Sequence, residues 1–274
     1  MKIKTGSVSI NAEQFNTFDS SKPTVLLLHG FTGSLEDWRD VSTSLDTHFN
    51  YIGVDLIGHG KSDSPTDFRN YEADVSAKYI DDVLKTFSLN QVVILGYSKG
   101  GRVALCYAAN NSEKVKALIL ESASAGFENK RERENRIKSD NEMAEFIEAN
   151  TLEQFAEVWM DKEIFNTQRR FSNQKLDKIR KKKLQNTKTG LANSLRGFGT
   201  GRMPSFKDKF NIIDFPVLLI TGKLDSKFTK INARLKHKFP NAKHSIIQTA
   251  GHNTHLEESK KFVDIVNSFL KSLS

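Results

Sequence analysis

The 274-residue chain carries a single cysteine, Cys106, so no disulfide can form within it. It has no apolar run approaching the length of a membrane span. Met1-Lys2-Ile3-Lys4-Thr5-Gly6 leads into no apolar stretch of the kind that directs secretion. Internal repeats and low-complexity tracts are missing, and no group of Cys, His and carboxylate residues has metal-ligand spacing. The formal net charge is +8, yet basic residues are not interleaved with aromatics as in a nucleic-acid-binding surface. The expectation is a cytoplasmic globular protein with no metal, no nucleic-acid partner and no membrane span. Monomer and homodimer are both compatible with it.

What remains is a chain with 38% apolar and 27% charged residues, long enough to bury a full-sized core. Short apolar strand candidates recur at residues 25–28, 51–55, 92–96, 117–121, 217–221 and 244–248. Helical patterns separate most of them, for example over 75–87 and 257–270. Strands alternating with helices predict an α/β fold with a mostly parallel, doubly wound sheet. An antiparallel hairpin, with strands over 2–10 and 14–18, leads into it. The alternation stops after Ala123. Residues 124–205 read as a helical cap inserted between two strands, splitting the core into residues 1–123 and 206–274. Phe146, Ile147, Phe155, Val158 and Phe165 are the candidate apolar anchors of that cap. Lys and Arg thicken between residues 130 and 183. Most of them belong on a solvated helical surface, with a few arginines available to face an anionic substrate.

One stretch carries most of the chemistry. Val92-Val93-Ile94-Leu95 is a buried-strand pattern, and Val103-Ala104-Leu105-Cys106-Tyr107-Ala108-Ala109 has good helix formers and no breaker. Between them stands Gly96-Tyr97-Ser98-Lys99-Gly100-Gly101-Arg102. Small residues two before and two after Ser98 let the backbone turn sharply and hold the hydroxyl clear of it, as in a nucleophile elbow. The five-residue pattern alone is weak; its strand-turn-helix setting makes it specific. Cys106, inside the helix, reads as a small buried hydrophobe.

A serine in that position needs an imidazole to take its proton and a carboxylate to orient the imidazole. Asp225 and His252 each follow a strand candidate, in the order serine, acid, histidine; Asp55, also at a strand end, is the rival acid. Leu28-His29-Gly30-Phe31 ends an apolar strand. Backbone N–H groups of Phe31 and Lys99 could therefore converge on a developing oxyanion. His29 is expected to brace its loop, and Gly58-His59-Gly60-Lys61-Ser62 to be structural rather than phosphate-binding.

These segments, with Asp55-Leu56-Ile57-Gly58-His59-Gly60 and Gly251-His252, together resemble the α/β-hydrolase superfamily along nearly the whole chain. Four further features resemble one family within it, the 2-succinyl-6-hydroxy-2,4-cyclohexadiene-1-carboxylate synthases of menaquinone biosynthesis. They are Arg102, Gly197-Phe198-Gly199-Thr200-Gly201-Arg202-Met203-Pro204-Ser205, Asp225-Ser226-Lys227-Phe228 and Asn253. The resemblance implies a lyase without cofactor that eliminates pyruvate from a small anionic polycarboxylate. It also implies an arginine clamp at Arg102, Arg136 and Arg180, with Tyr97 and Trp159 lining the same pocket. Lys99 departs from the family's usual leucine. A serine carboxylesterase would use the same three residues for acyl transfer and is the alternative. A ligand-binding module on a dead hydrolase fold would lack one of the three.

Overall fold

The computed structural model describes residues 1–206 and 209–273. Runs such as Thr24-Val25-Leu26-Leu27-Leu28, apolar at almost every position, form strands buried on both faces. Among the described residues there are eight strands: β1 (Lys2–Thr5), β2 (Val8–Gln14), β3 (Thr24–Leu28), β4 (Asn50–Val54), β5 (Val92–Tyr97), β6 (Val115–Glu121), β7 (Val217–Gly222) and β8 (Ala242–Ile247). They make one sheet in the order β1-β2-β4-β3-β5-β6-β7-β8. β1–β2 and β2–β4 are antiparallel, and the remaining pairs are parallel. The initial hairpin turns earlier than the sequence pattern suggests. Gly6, with φ of +61°, takes the left-handed turn, so Ile3 pairs with Ile10 and β2 continues to Gln14.

The helices are α1 (Arg39–Ser42), α2 (Ala73–Thr86), α3 (Lys99–Asn110), α4 (Lys130–Ala149), α5 (Leu152–Met160), α6 (Asn173–Lys183), α7 (Lys188–Phe198), α8 (Ser226–Lys236), α9 (Thr254–Glu257) and α10 (Ser259–Lys271). Alternate strand residues point to opposite faces. Leu26, Leu28, Ile52, Val54, Ile94, Leu118 and Leu219 pack with Ile80 and Val83 of α2, Val103 of α3 and Leu235 of α8. Val25, Leu27, Tyr51, Val93, Leu95, Ile119 and Ile220 pack with Trp38 and with Phe262, Val266 and Leu270 of α10. Each such burial is worth roughly 1.5–3 kcal/mol, and a one-residue slip would turn every side chain of a strand to the wrong layer. The register is thereby fixed. Leu28 lies beside Val54 and Gly96, and Tyr97 beside Glu121, so the loops leaving these strands meet along one edge.

Between β6 and β7, helices α4 to α7 and a 3-10 segment at Glu163–Arg170 stand over that edge. Side-chain caps start each helix: Asn129, Thr151, Ser172 and Thr187 accept from N–H groups of the first turn. Ala144, Ile147, Phe155, Leu191, Ala192 and Leu195 form a separate small core, against which Phe31, Phe146 and Trp159 pack. Val158 is not an anchor, being 43% exposed. The apolar face of α5 is centred on Phe155, Ala156 and Trp159, and Val158 falls outside it. At the other end of the chain the anticipated 257–270 helix is divided, because Glu258 leaves helical geometry between α9 and α10.

Candidate active site

Ser98 sits where β5 turns into α3, with φ of +48° and ψ of −103°, a backbone conformation that few residues with a side chain adopt. Packing enforces it. A Cβ on Gly96 would come within 2.5 Å of the Gly100 backbone, and one on Gly100 within 2.2 Å of the Leu28 carbonyl. The Ser98 amide donates to the Glu121 carbonyl at 2.8 Å, pinning the elbow to β6.

The Ser98 hydroxyl meets the histidine anticipated from the sequence. His252 Nε2 lies 3.1 Å from Ser98 Oγ, and His252 Nδ1 lies 2.7 Å from Asp225 Oδ2. With the carboxylate ionised, Nδ1–H donates to Asp225, which leaves Nε2 free to accept the serine proton. Asp225 Oδ1 accepts from the Phe228 amide at 3.1 Å, so the carboxylate also caps α8. The Phe228 ring packs edge-on at 4.5 Å from the imidazole, and both His252 and Asp225 are buried.

The rival acid has other work. Asp55 accepts from Asn11 Nδ2 of β2 and from the amides of Leu35 and Lys61, tying that strand to the segments after β3 and β4. His29 braces in the same way: its Nε2 accepts from the Leu56 amide at 2.9 Å and its Nδ1–H donates to the Gly30 carbonyl at 2.7 Å. Burial holds His29 below its ordinary pKa and therefore neutral. The glycine loop after β4 is structural, since a Cβ on Gly60 would strike the Asp55 carboxylate. Phe31 follows the His29 loop and Lys99 opens α3, where the first N–H groups of a helix have no acceptor within it.

Ser98 and His252 open into a cavity of about 270 Å³ under the helical insertion. Phe31, Tyr97, Trp159 and Phe165 give it an aromatic wall. The Tyr97 ring lies 5.5 Å from that of His252, and Trp159 stands edge-on to Phe31 at 4.9 Å. Burial keeps the Tyr97 hydroxyl protonated by raising its pKa well above the ordinary value.

Two of the three expected arginines line this cavity. Arg102 is buried; its Nη1 donates to the Phe198 carbonyl at 3.1 Å, at the end of α7. Burial first, and the nearby Arg136 charge second, push its guanidinium down to about 10, so it stays cationic at neutral pH. Arg136 Nε donates to Asp140 Oδ1 at 2.8 Å, one turn on in α4. The other Asp140 oxygen is buried with no hydrogen-bond partner among the described residues.

Arg180 does not join them. It pairs with Glu157 of α5 and borders a separate groove with Met160, Asp161 and Leu176. It lies on α6, which begins after the chain leaves the 3-10 segment at Phe171. The cavity gains Lys162 and Lys227 instead. Lys227, two residues past the acid and in the first turn of α8, was in reach of sequence reasoning because the acid marks that helix start as part of the sheet edge; nothing marks Lys162 in the sequence. The Lys99 side chain turns away from Ser98. It is buried against the Phe198 ring, with Nζ donating to the Ser194 carbonyl at 3.1 Å.

Known proteins resemble this chain in sequence and in fold. The alpha/beta hydrolase fold family model matches residues 23–259. A Bacillus subtilis (strain 168) protein, provisionally named as a 2-succinyl-6-hydroxy-2,4-cyclohexadiene-1-carboxylate synthase, is 37% identical over 93% of this chain and 92% of its own length. The 2-succinyl-6-hydroxy-2,4-cyclohexadiene-1-carboxylate synthase of Enterobacter sp. (strain 638) is 27% identical over 86% of each. MenH from S. aureus superposes with a TM-score of 0.90 at 28% identity, covering 96% of this chain and 98% of that one. An Exiguobacterium antarcticum esterase shares the fold, with a TM-score of 0.83 at 22% identity over 98% of both chains.

Proposed function

Because this chain belongs to the 2-succinyl-6-hydroxy-2,4-cyclohexadiene-1-carboxylate synthase family, on the α/β-hydrolase fold, we propose that its cavity is a pyruvate-eliminating site of menaquinone biosynthesis. The substrate is 2-succinyl-5-enolpyruvyl-6-hydroxy-3-cyclohexene-1-carboxylate, and the reaction makes a ring diene by losing the enolpyruvyl group. The observation that carries the reading is two buried or half-buried arginines, Arg102 and Arg136, sharing a cavity with Ser98 and His252. Ester hydrolysis needs no such pair, whereas a polycarboxylate needs permanently charged donors.

Asp225 holds His252 in the tautomer that accepts at Nε2. His252 takes the Ser98 proton as Ser98 removes the ring proton next to the succinyl ketone. Negative charge moves onto the ketone oxygen, where the Phe31 and Lys99 amides stabilise it. The electron pair then returns through the ring double bond and breaks the C–O bond to enolpyruvate, which is protonated to pyruvate. No acyl-enzyme forms. Residues 124–205 serve as the cap that keeps water from the dienolate, with Tyr97 and Trp159 walling the ring. A cytoplasmic location belongs to the same proposal, since so highly charged a substrate does not cross a membrane unaided. Among the described residues no helix is long and apolar enough to span one.

Charge supports the same substrate. Four cations line the cavity, Arg102, Arg136, Lys162 and Lys227, against the carboxylate of Asp140. Three positive charges remain for the three carboxylates of the substrate. Lys162→Gln and Lys227→Gln should therefore each raise KM about three- to tenfold and leave kcat nearly unchanged, with a shallower salt dependence than the parent enzyme. Arg180→Gln should keep kcat/KM within about twofold, because its partner is Glu157 on a surface groove. A KM increase for Arg180→Gln matching that of Lys227→Gln would return Arg180 to the clamp.

The deciding experiment is a coupled pyruvate assay on the enolpyruvyl substrate, run beside a panel of p-nitrophenyl esters. Fast pyruvate release with negligible ester cleavage is the expected result. Ester turnover without pyruvate would make this a serine carboxylesterase.

A further inference from the structure

The loop that carries His252 is held from two sides, and one of them is the helical insertion. Glu257, the last residue of α9, has a fully buried side chain. It accepts from both amides that flank His252, Gly251 N at 2.8 Å and Asn253 N at 3.3 Å. A local cap of α9 would account for the second of these bonds but not for the first. Nor would it account for the partner that reaches across. Arg170, at the end of the Glu163–Arg170 segment, donates from Nη2 to Glu257 Oε2 at 3.2 Å and from Nη1 to the Thr249 carbonyl at 2.7 Å. Lys175 of α6 adds a bond from Nζ to the Leu256 carbonyl at 3.1 Å.

The same segment rests directly on the loop. A Cβ on Gly251 would lie 2.1 Å from Thr167 Oγ1, so glycine is needed there for the two to seat. Ile164 and Phe165, on the first turn of the segment, line the cavity, and the Phe165 ring stands edge-on to His252 at 6.3 Å. One short element thus walls the cavity at one end and grips the histidine loop at the other.

We propose that Arg170 and Glu257 are positioning residues that couple the seating of the 163–170 segment to the placement of the His252 imidazole. The role rests on the reading of His252 as the proton acceptor. Neither side chain touches the reacting atoms. When Arg170 releases Glu257, the carboxylate can no longer be held against both amides at once, and the imidazole loses its fixed distance to Ser98.

The test combines kinetics with hydrogen exchange on the full-length protein. In Arg170→Gln, kcat should fall about tenfold with KM changed less than twofold, and Arg170→Lys should recover part of the loss. Glu257→Gln, which keeps one acceptor oxygen, should behave like Arg170→Gln. Without any substrate, amide exchange in a peptide covering residues 248–256 should quicken at least fivefold in Arg170→Gln, while β5 exchanges as before. Faster exchange confined to residues 163–171 with unchanged kcat, or a loss expressed wholly in KM, would overturn the coupling. A parent enzyme that releases no pyruvate would overturn the proposed activity alone; the exchange comparison would still decide whether Arg170 holds the histidine loop.

Discussion

Ser98→Ala is expected to lower kcat for pyruvate release by about 10³–10⁴-fold with KM little changed and the fold intact. In the proposed mechanism the hydroxyl takes the ring proton, and His252 Nε2 stands 3.1 Å from it. Alanine keeps the Cβ and hence the +48° backbone of the elbow, so the loss reports on the oxygen rather than on a rebuilt turn. His252→Ala should cost a similar factor, and the double variant little more than either single one, because the two act as one proton-transfer unit. Mass spectrometry of the parent enzyme during turnover should find no adduct on Ser98, since the proposed elimination passes through no acyl-enzyme. Full-rate turnover by Ser98→Ala would remove Ser98 from the mechanism. A trapped covalent intermediate would assign it nucleophilic chemistry instead.

That much of the site could be argued from sequence because short-range geometry fixed it. Glycines at 96 and 100 can only be close together if the chain turns at Ser98, and an apolar strand before it with a helix after it leaves few other conformations. Asp225 and His252 were legible for a related reason: each lies a few residues past a strand, and parallel strands deliver their ends to one edge. Arg136 was expected only through the family resemblance; it lies within one continuous helix, α4, with Asp140 one turn on. Arg180 was expected on the same resemblance, and its side chain pairs with Glu157 instead. Between Phe165 and Arg180 the chain passes from 3-10 to extended to helical backbone. Arg170 and Glu257 were invisible to sequence reading. Their contact joins residues 87 apart through a bond that no local pattern encodes.

Arg102→Met should separate binding from folding. In the parent protein the guanidinium is buried, and its pKa, lowered by that burial to about 10, means that the fold disfavours the charge it carries. The sign follows from linkage. A cation whose pKa is lower folded than unfolded costs stability throughout the pH range in which it stays charged, and that includes neutral pH. The Phe198 carbonyl and ring recover part of that cost, the carbonyl through a 3.1 Å hydrogen bond and the ring at 5.5 Å. Methionine fills a similar volume without the charge, so Tm should hold or rise. Activity should move the other way. A carboxylate brought into the cavity would lose a buried, charge-assisted partner, at about 3–4 kcal/mol of transition-state stabilisation, or roughly 10²–10³ in kcat/KM. Thermal melts and steady-state kinetics on the same preparation read both quantities. A fall in Tm alongside the fall in rate would make Arg102 a strut between α3 and α7. A rate left unchanged would remove the carboxylate from its neighbourhood, and with it the main reason to prefer elimination over ester hydrolysis in this cavity.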